Sequence, residues 1–369
     1  MQSRALHAFV GAMSVLFLSS LARAQDVDVP GNLTMHNSTD ATVGNVLKDG
    51  VPFIHNFGSN NTFVGSNAGN LAMSGGFNTG IGVSVLQSNT SGNANSGAGF
   101  SALRSNTTGI GNTAFGANAL QSNTTGFSNT ATGGAALQGN TTGVLNTAFG
   151  TGALFSNTTG GSNTAIGAGA LGDNTTGFSN TAEGFGAMRL NTTGALNVAT
   201  GVNSLRLNTE GSGNAAHGAS ALQLNTTGSD NTASGHLALE GNSTGNNNTA
   251  CGIRALWDNS TGDDNTAVGN LALRYSSTGS FNTAIGSGAT IPFLSEVNNA
   301  TAIGANAIVN ASNKIRLGDT NVTLIEGQGD FHASGAGNGI ILKSPDGLTC
   351  ARLSIDNSGQ LVTTPLACP

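Results

Sequence analysis

The 369-residue chain is 37% hydrophobic yet only 8% charged, with 56 glycines and a single Trp and Tyr. Ordinary domains carry about a quarter charged residues, and a net charge of −6 leaves no basic footprint for nucleic acid. After the N-terminus there is no run of about 18 apolar residues, so no membrane-spanning helix is expected.

The first element reads as a leader. Arg4 supplies the positive start, Ala8 to Leu18 the apolar stretch, and Ala22-Arg23-Ala24 the small-x-small cleavage pattern. Residues 1–24 are expected to be a signal peptide cut after Ala24, giving a secreted or surface-held protein. No Cys follows the cut to carry a lipid. Residues 25–60 are expected to form a β cap, with Phe53 and Phe57 covering the first rung of a repeat array.

From residue 61 to about 310 the chain repeats. Asn61 recurs every 17 residues to Asn282, and a Gly stands four residues after each, from Gly65 to Gly286. The unit reads N-T-A-x-G-x-x-A-L-x-x-N-T-T-G-x-x, and Asn163 to Ser179 is a clean copy. Fourteen copies in unbroken phase exclude a disordered linker. Asn-Thr-Thr-Gly is turn chemistry, as at Asn106 and Gly109, Asn123 and Gly126, and Asn157 and Gly160.

Seventeen residues cannot hold two helices, but two short strands fit between Gly-marked turns. Each repeat is therefore read as one rung of an all-β parallel β-roll or β-solenoid, stacked about 4.8 Å apart with ladders of identical Asn and Thr side chains. One Leu and two Ala per rung make a thin core. On a strand, the adjacent Ala and Leu would face opposite sides, so both faces would be apolar and self-association along the whole length is expected. The fourth repeat position runs from Val64 and Ile81 to Glu183 and His217. Its charged members place that column at solvent in the middle rungs. Arg104, Arg189, Arg206 and Arg274 each follow the Leu directly and Trp257 shares their column, which makes it the candidate contact surface.

A connector is expected over 311–337 and a small β meander over 338–369. The meander's strands are Gly339 to Lys343, Leu348 to Ile355 and Gln360 to Thr364. Export permits disulfides, and pairing Cys350 with Cys368 would stabilise this end by about 3 kcal/mol. Cys251 is left over and is expected to be a small packed residue.

No chemistry of catalysis emerges. The histidines are isolated, none at metal-ligand spacing, and Asp258, Asp263 and Asp264 lack the glycine-rich nonapeptide of calcium-binding solenoids. The Asn-x-Thr triplets are glycan acceptors on paper, but at fixed phase they read as turn and ladder residues. No catalytic residue, metal or cofactor is expected, and the protein is read as non-enzymatic.

The motif N-T-A-I-G-A-G-A-L at Asn163 to Leu171 resembles the head repeats of YadA-like trimeric autotransporter adhesins, over residues 61–310. The resemblance implies a left-handed roll with three chains around one axis, displayed on a bacterial surface to bind matrix or host molecules. Ile315 to Gly327 resembles the connectors that follow such heads in surface fibres and phage-derived tail fibres. Two departures are a missing heptad stalk and a missing barrel-forming C-terminal segment, so release or retention by a partner is expected instead of a membrane anchor. The expected function is multivalent adhesion, with itself as a homotrimer and an extracellular matrix, host or environmental surface as partners. One alternative is an ice-binding β-solenoid, against which the paired threonines lie in the expected turn. The other is a structural component of a phage-type fibre, against which the leader argues.

Overall fold

The computed structural model describes residues 36–40, 43–292, 296–322, 340–343, 349–356 and 358–366. The leader, most of the connector and Cys368 lie outside them. The chain divides into two compact units, Met1–Asp319 and Thr320–Pro369. Among the described residues there is no helix, and so none long and apolar enough to cross a membrane.

The first unit is a parallel β-solenoid. A hairpin of β1 (Val46–Lys48) and β2 (Val51–His55) opens it. Fifteen three-residue strands come next, from β3 (Thr62–Val64) to β17 (Thr301–Ile303), and then β18 (Ile315–Leu317). Successive rungs stack in register with the 17-residue period, pairing Thr147 with Thr164, Ala148 with Ala165 and Phe149 with Ile166. The step lengthens by one residue where Thr283 meets Thr301, and shortens where Thr301 meets Ile315. At the N-terminal end β2 runs antiparallel to β3, pairing His55 with Phe63, so the first rung does not present a bare edge. Phe63 is fully buried there, and Phe57 packs against the same core.

Each rung holds one strand, not the two expected, and the core is built differently for that reason. In the strands from β3 to β17 the middle residue points inward and its two neighbours outward; Ala165 is fully buried while Ile166 is 41% exposed. The Ala-Leu pair lies beyond the strand in a turn. Leu171 takes a left-handed backbone, φ 50°, and its N–H donates to the Ala187 carbonyl of the next rung at 3.0 Å. That twist swings Ala170 and Leu171 to the same side, and both are fully buried. Two faces therefore do not need separate cover, and the Leu column, buried within one chain, leaves no second apolar face for self-association. A left-handed Leu costs about 1–2 kcal/mol, which burial of its side chain, worth about 1.5–3 kcal/mol, offsets.

The Gly after each strand is required by the stacking itself. Gly150 sits at φ 137°, and a Cβ there would lie 2.6 Å from the Gly167 carbonyl oxygen of the next rung. Any side chain would force the rungs apart.

The second unit is a small antiparallel sheet, with β19 (Ile340–Lys343) paired to β20 (Cys350–Ile355) and β20 to β21 (Leu361–Leu366). The expected meander is present. Its second turn is held by the Asp356 carboxylate, which accepts from the Ser358 and Gln360 amides at 2.9 Å each. Register places Cys350, which is buried, opposite Leu366.

Candidate binding face

The expected turn residues are interior. Both Asn of the repeat are buried, and each forms a ladder up the stack. Asn106 donates to Asn89 Oδ1 at 2.8 Å and Asn123 to Asn106 Oδ1 at 2.7 Å, while each also donates to its own turn's Gly109 or Gly126 carbonyl. The Gly160 carbonyl takes both ladders, from Asn157 at 3.0 Å and from Asn146 at 2.8 Å. With their amide nitrogens consumed inside, these Asn-x-Thr triplets present no glycan acceptor in the folded rung. Their side chains hold the fold.

What the solenoid offers outward are the residues flanking the strand centre and the turn columns. The fourth repeat position faces outward well beyond the middle rungs: Ile81, Phe115, Phe149, Val268 and Ile285 are exposed, as are Glu183 and His217. Cys251 belongs to this column, so it is an exposed, free thiol. The packed position expected for it is corrected by the geometry, because the third residue of each rung strand points away from the core.

The Arg and Trp column is on the surface, but the five residues do not form one site. Arg104 and Arg189 are exposed; Arg206, Trp257 and Arg274 are half-buried. Arg104 donates to Gln87 Oε1 of the preceding rung at 3.3 Å. Trp257 and Arg274 are joined by Arg254, which the column could not reveal because it comes from a different repeat position. The guanidinium carbons of Arg254 and Arg274 lie 5.5 and 5.0 Å from the indole ring, and that of Arg274 is 4.8 Å from the Tyr275 ring. The chain's single Trp and single Tyr thus share one cation–π cluster. Burial raises the Asp258 carboxyl above its ordinary value, and the positive charge of Arg274 only partly opposes this.

Arg189 belongs to a different feature, a concavity on the turn face. A depression of about 300 Å³ opens between Phe155 and Phe185. Four of its ten lining residues are glycine. Gly152, Gly169 and Gly186 stack in one repeat column, where other rungs carry Asn118, Asn203 or Leu271, and Gly172 stands where Gln121 and Gln138 do. A Cβ on Gly152 or Gly169 would meet nothing within 4 Å. The walls are apolar, Phe155 being 45% and Phe185 61% exposed. On the rim stand Asp173 and Arg189, both exposed and with no side-chain partner among the described residues. The sequence carries this feature as four glycines and two phenylalanines, but they meet only once the rungs are stacked.

Among the described residues no three His, Cys, Asp or Glu side chains are grouped to hold a metal ion. Compared with family models and with curated proteins, the chain matches none.

Proposed function

We propose that this chain is an exported, non-enzymatic, fibre-like adhesin that assembles as a homotrimer and binds surfaces multivalently through its repetitive outer faces. The observation that carries it is the exposed apolar column on the strand face. Large apolar side chains recur there at 38–57% exposure, among them Ile81, Phe115, Phe149, Val268 and Ile285. Extended exposed apolar surface of this kind marks contact with something else, here the partner copies of the trimer, and a rung repeat multiplies one weak contact on the faces left free into avidity. Cleavage after Ala24 and a Cys350–Cys368 bridge belong to the same reading, since both accompany export.

The test is the absolute mass of residues 25–369 by light scattering after size exclusion, together with retention on plates coated with matrix proteins, mucin or glycans. Three chain masses and retention are expected. A compact monomer that binds no coated surface overturns the reading.

A second reading, ice binding, is favoured by one observation that the paired turn threonines had hidden. The first residue of the strand is also outward, and it is Thr in the unbroken run Thr113, Thr130, Thr147, Thr164 and Thr181. That makes one hydroxyl per rung at about 4.8 Å spacing. Phe115 and Phe149 rise beside this ladder and spoil its flatness, so it stands second. Thermal hysteresis in a nanolitre osmometer decides it, and none means the ladder orders no ice.

A further inference from the structure

We propose that the depression between Phe155 and Phe185 is a saccharide subsite that takes a single pyranose ring; the proposal rests on the adhesin reading and names the ligand class it engages. A pyranose has two kinds of surface. One face presents C–H bonds and is apolar, and its edge presents hydroxyls that both donate and accept. The depression matches both. Phe155 and Phe185 supply two exposed aromatic walls for the C–H face. Asp173 accepts from hydroxyls and Arg189 donates to them, and neither is engaged by another side chain among the described residues.

Size agrees as well. About 300 Å³ suits one ring and not an oligosaccharide enclosed end to end. Several other rungs carry larger side chains in these columns, such as Asn118 and Asn203 at the position of Gly169, and Gln121 and Gln138 at that of Gly172. Four glycines line it over three consecutive rungs beside two phenylalanines, and at Gly152 and Gly169 the space a side chain would take is open. Stacking of the rungs needs none of these glycines, because rungs with the larger residues stack in the same register.

These residues of neighbouring rungs supply the test. Gly169→Asn and Gly172→Gln, made together, fill the depression with residues that the same positions tolerate. Asn118 and Asn203 hold φ values of 60° and 56°, close to the 66° of Gly169, so the backbone accepts the change. Phe185→Ala removes one wall at an exposed position. Methyl glycosides of glucose, galactose, mannose, N-acetylglucosamine and glucuronic acid are titrated against the mature protein by saturation-transfer NMR. Retention on coated plates is measured in parallel, and circular dichroism checks the fold of each variant.

At least one glycoside is expected to bind with a dissociation constant on the order of 1 mM, with its ring C–H protons most saturated. Phe185→Ala and the filled variant should each weaken it by about tenfold or more. No binding by any of the five, or binding unchanged in the filled variant, overturns the subsite. If plate retention persists in that case, the adhesin reading survives and the contact lies on another face. If retention is also absent, both fall.

Discussion

At the scale of single residues, the solenoid is held by amides as much as by apolar side chains. Asn157 donates to the Asn140 side-chain oxygen and the Gly160 carbonyl and accepts from Asn174 at 2.8 Å, all in a fully buried site. Asn157→Ala strands the Asn140 oxygen without a donor. Leaving a buried acceptor unsatisfied costs about 1–3 kcal/mol, so a stability loss of about 2 kcal/mol or more is expected in urea titration. Thr159→Ala, on the exposed side of the same turn, should change stability by no more than about 0.5 kcal/mol. The ladder also shows where it stops. Asn259 is its last member, and its Oδ1 is buried with no partner because the next rung carries Ser276 in place of Asn. Ser276→Asn would extend the ladder, donating to Asn259 and to the Gly279 carbonyl as the Asn of earlier rungs do. A gain of about 1 kcal/mol is expected, read as a higher midpoint in the same titration.

At the scale of elements, the N-terminal cap carries a pH dependence of its own, set by a buried histidine. His55 ends β2, buried between the Ala68 carbonyl, 2.6 Å from Nε2, and the Phe63 ring at 5.0 Å. The Phe57 N–H approaches Nδ1 at 3.4 Å, an arrangement that suits a neutral ring with its proton on Nε2. Burial lowers the His55 pKa below 6.5, against a smaller opposing effect of the Ala68 carbonyl. Above the unfolded value both states are neutral and the cap keeps its full stability. As pH falls from about 6.5 toward the lowered folded value, the unfolded cap takes a proton that the folded one refuses, and stability is lost. Hydrogen-exchange protection of β2 should therefore drop between about pH 7 and pH 5 while mid-solenoid protection holds. His55→Gln keeps a donor for Ala68 without titrating, and should flatten that drop. The period, the turns, the ladders and the terminal meander were all legible in the sequence, because each depends on Asn, Gly or Thr doing what those residues ordinarily do. The turn at Leu171 was not, since a left-handed leucine defies local preference and is stabilised only by the rungs above and below. Nor was the depression at Gly169, whose glycines are neighbours in space but lie up to 34 positions apart along the chain, from Gly152 to Gly186.

At the scale of the solenoid as a whole, the apolar strand face is where the proposed homotrimer is expected to close, since the Leu core closes on itself without help, and the turn faces are then left for adhesion. That face is not uniform. Its outward column is largely apolar from Ile81 to Ile166, turns small or polar from Glu183 through Thr200, His217 and Ser234 to Cys251, and is apolar again at Val268, Ile285 and Ile303. At about 4.8 Å per rung the polar stretch is about 24 Å long, enough to make two independent apolar patches. Copies meeting through this face would be joined at both patches with a wetter interval between them. A single charge in one patch should then weaken assembly without abolishing it. Phe149→Asp is expected to make the trimer dissociate on dilution in light scattering, whereas Phe149→Asp with Ile285→Asp should give one chain mass at all concentrations. Both positions are more than 40% exposed, so neither change removes core packing. Thr159→Asp, on the turn face, serves as the charged control and should leave the mass at three chains. A trimer that survives the double substitution would move its interface to another face. A wild-type monomer would leave the apolar column free for the adhesive surface itself.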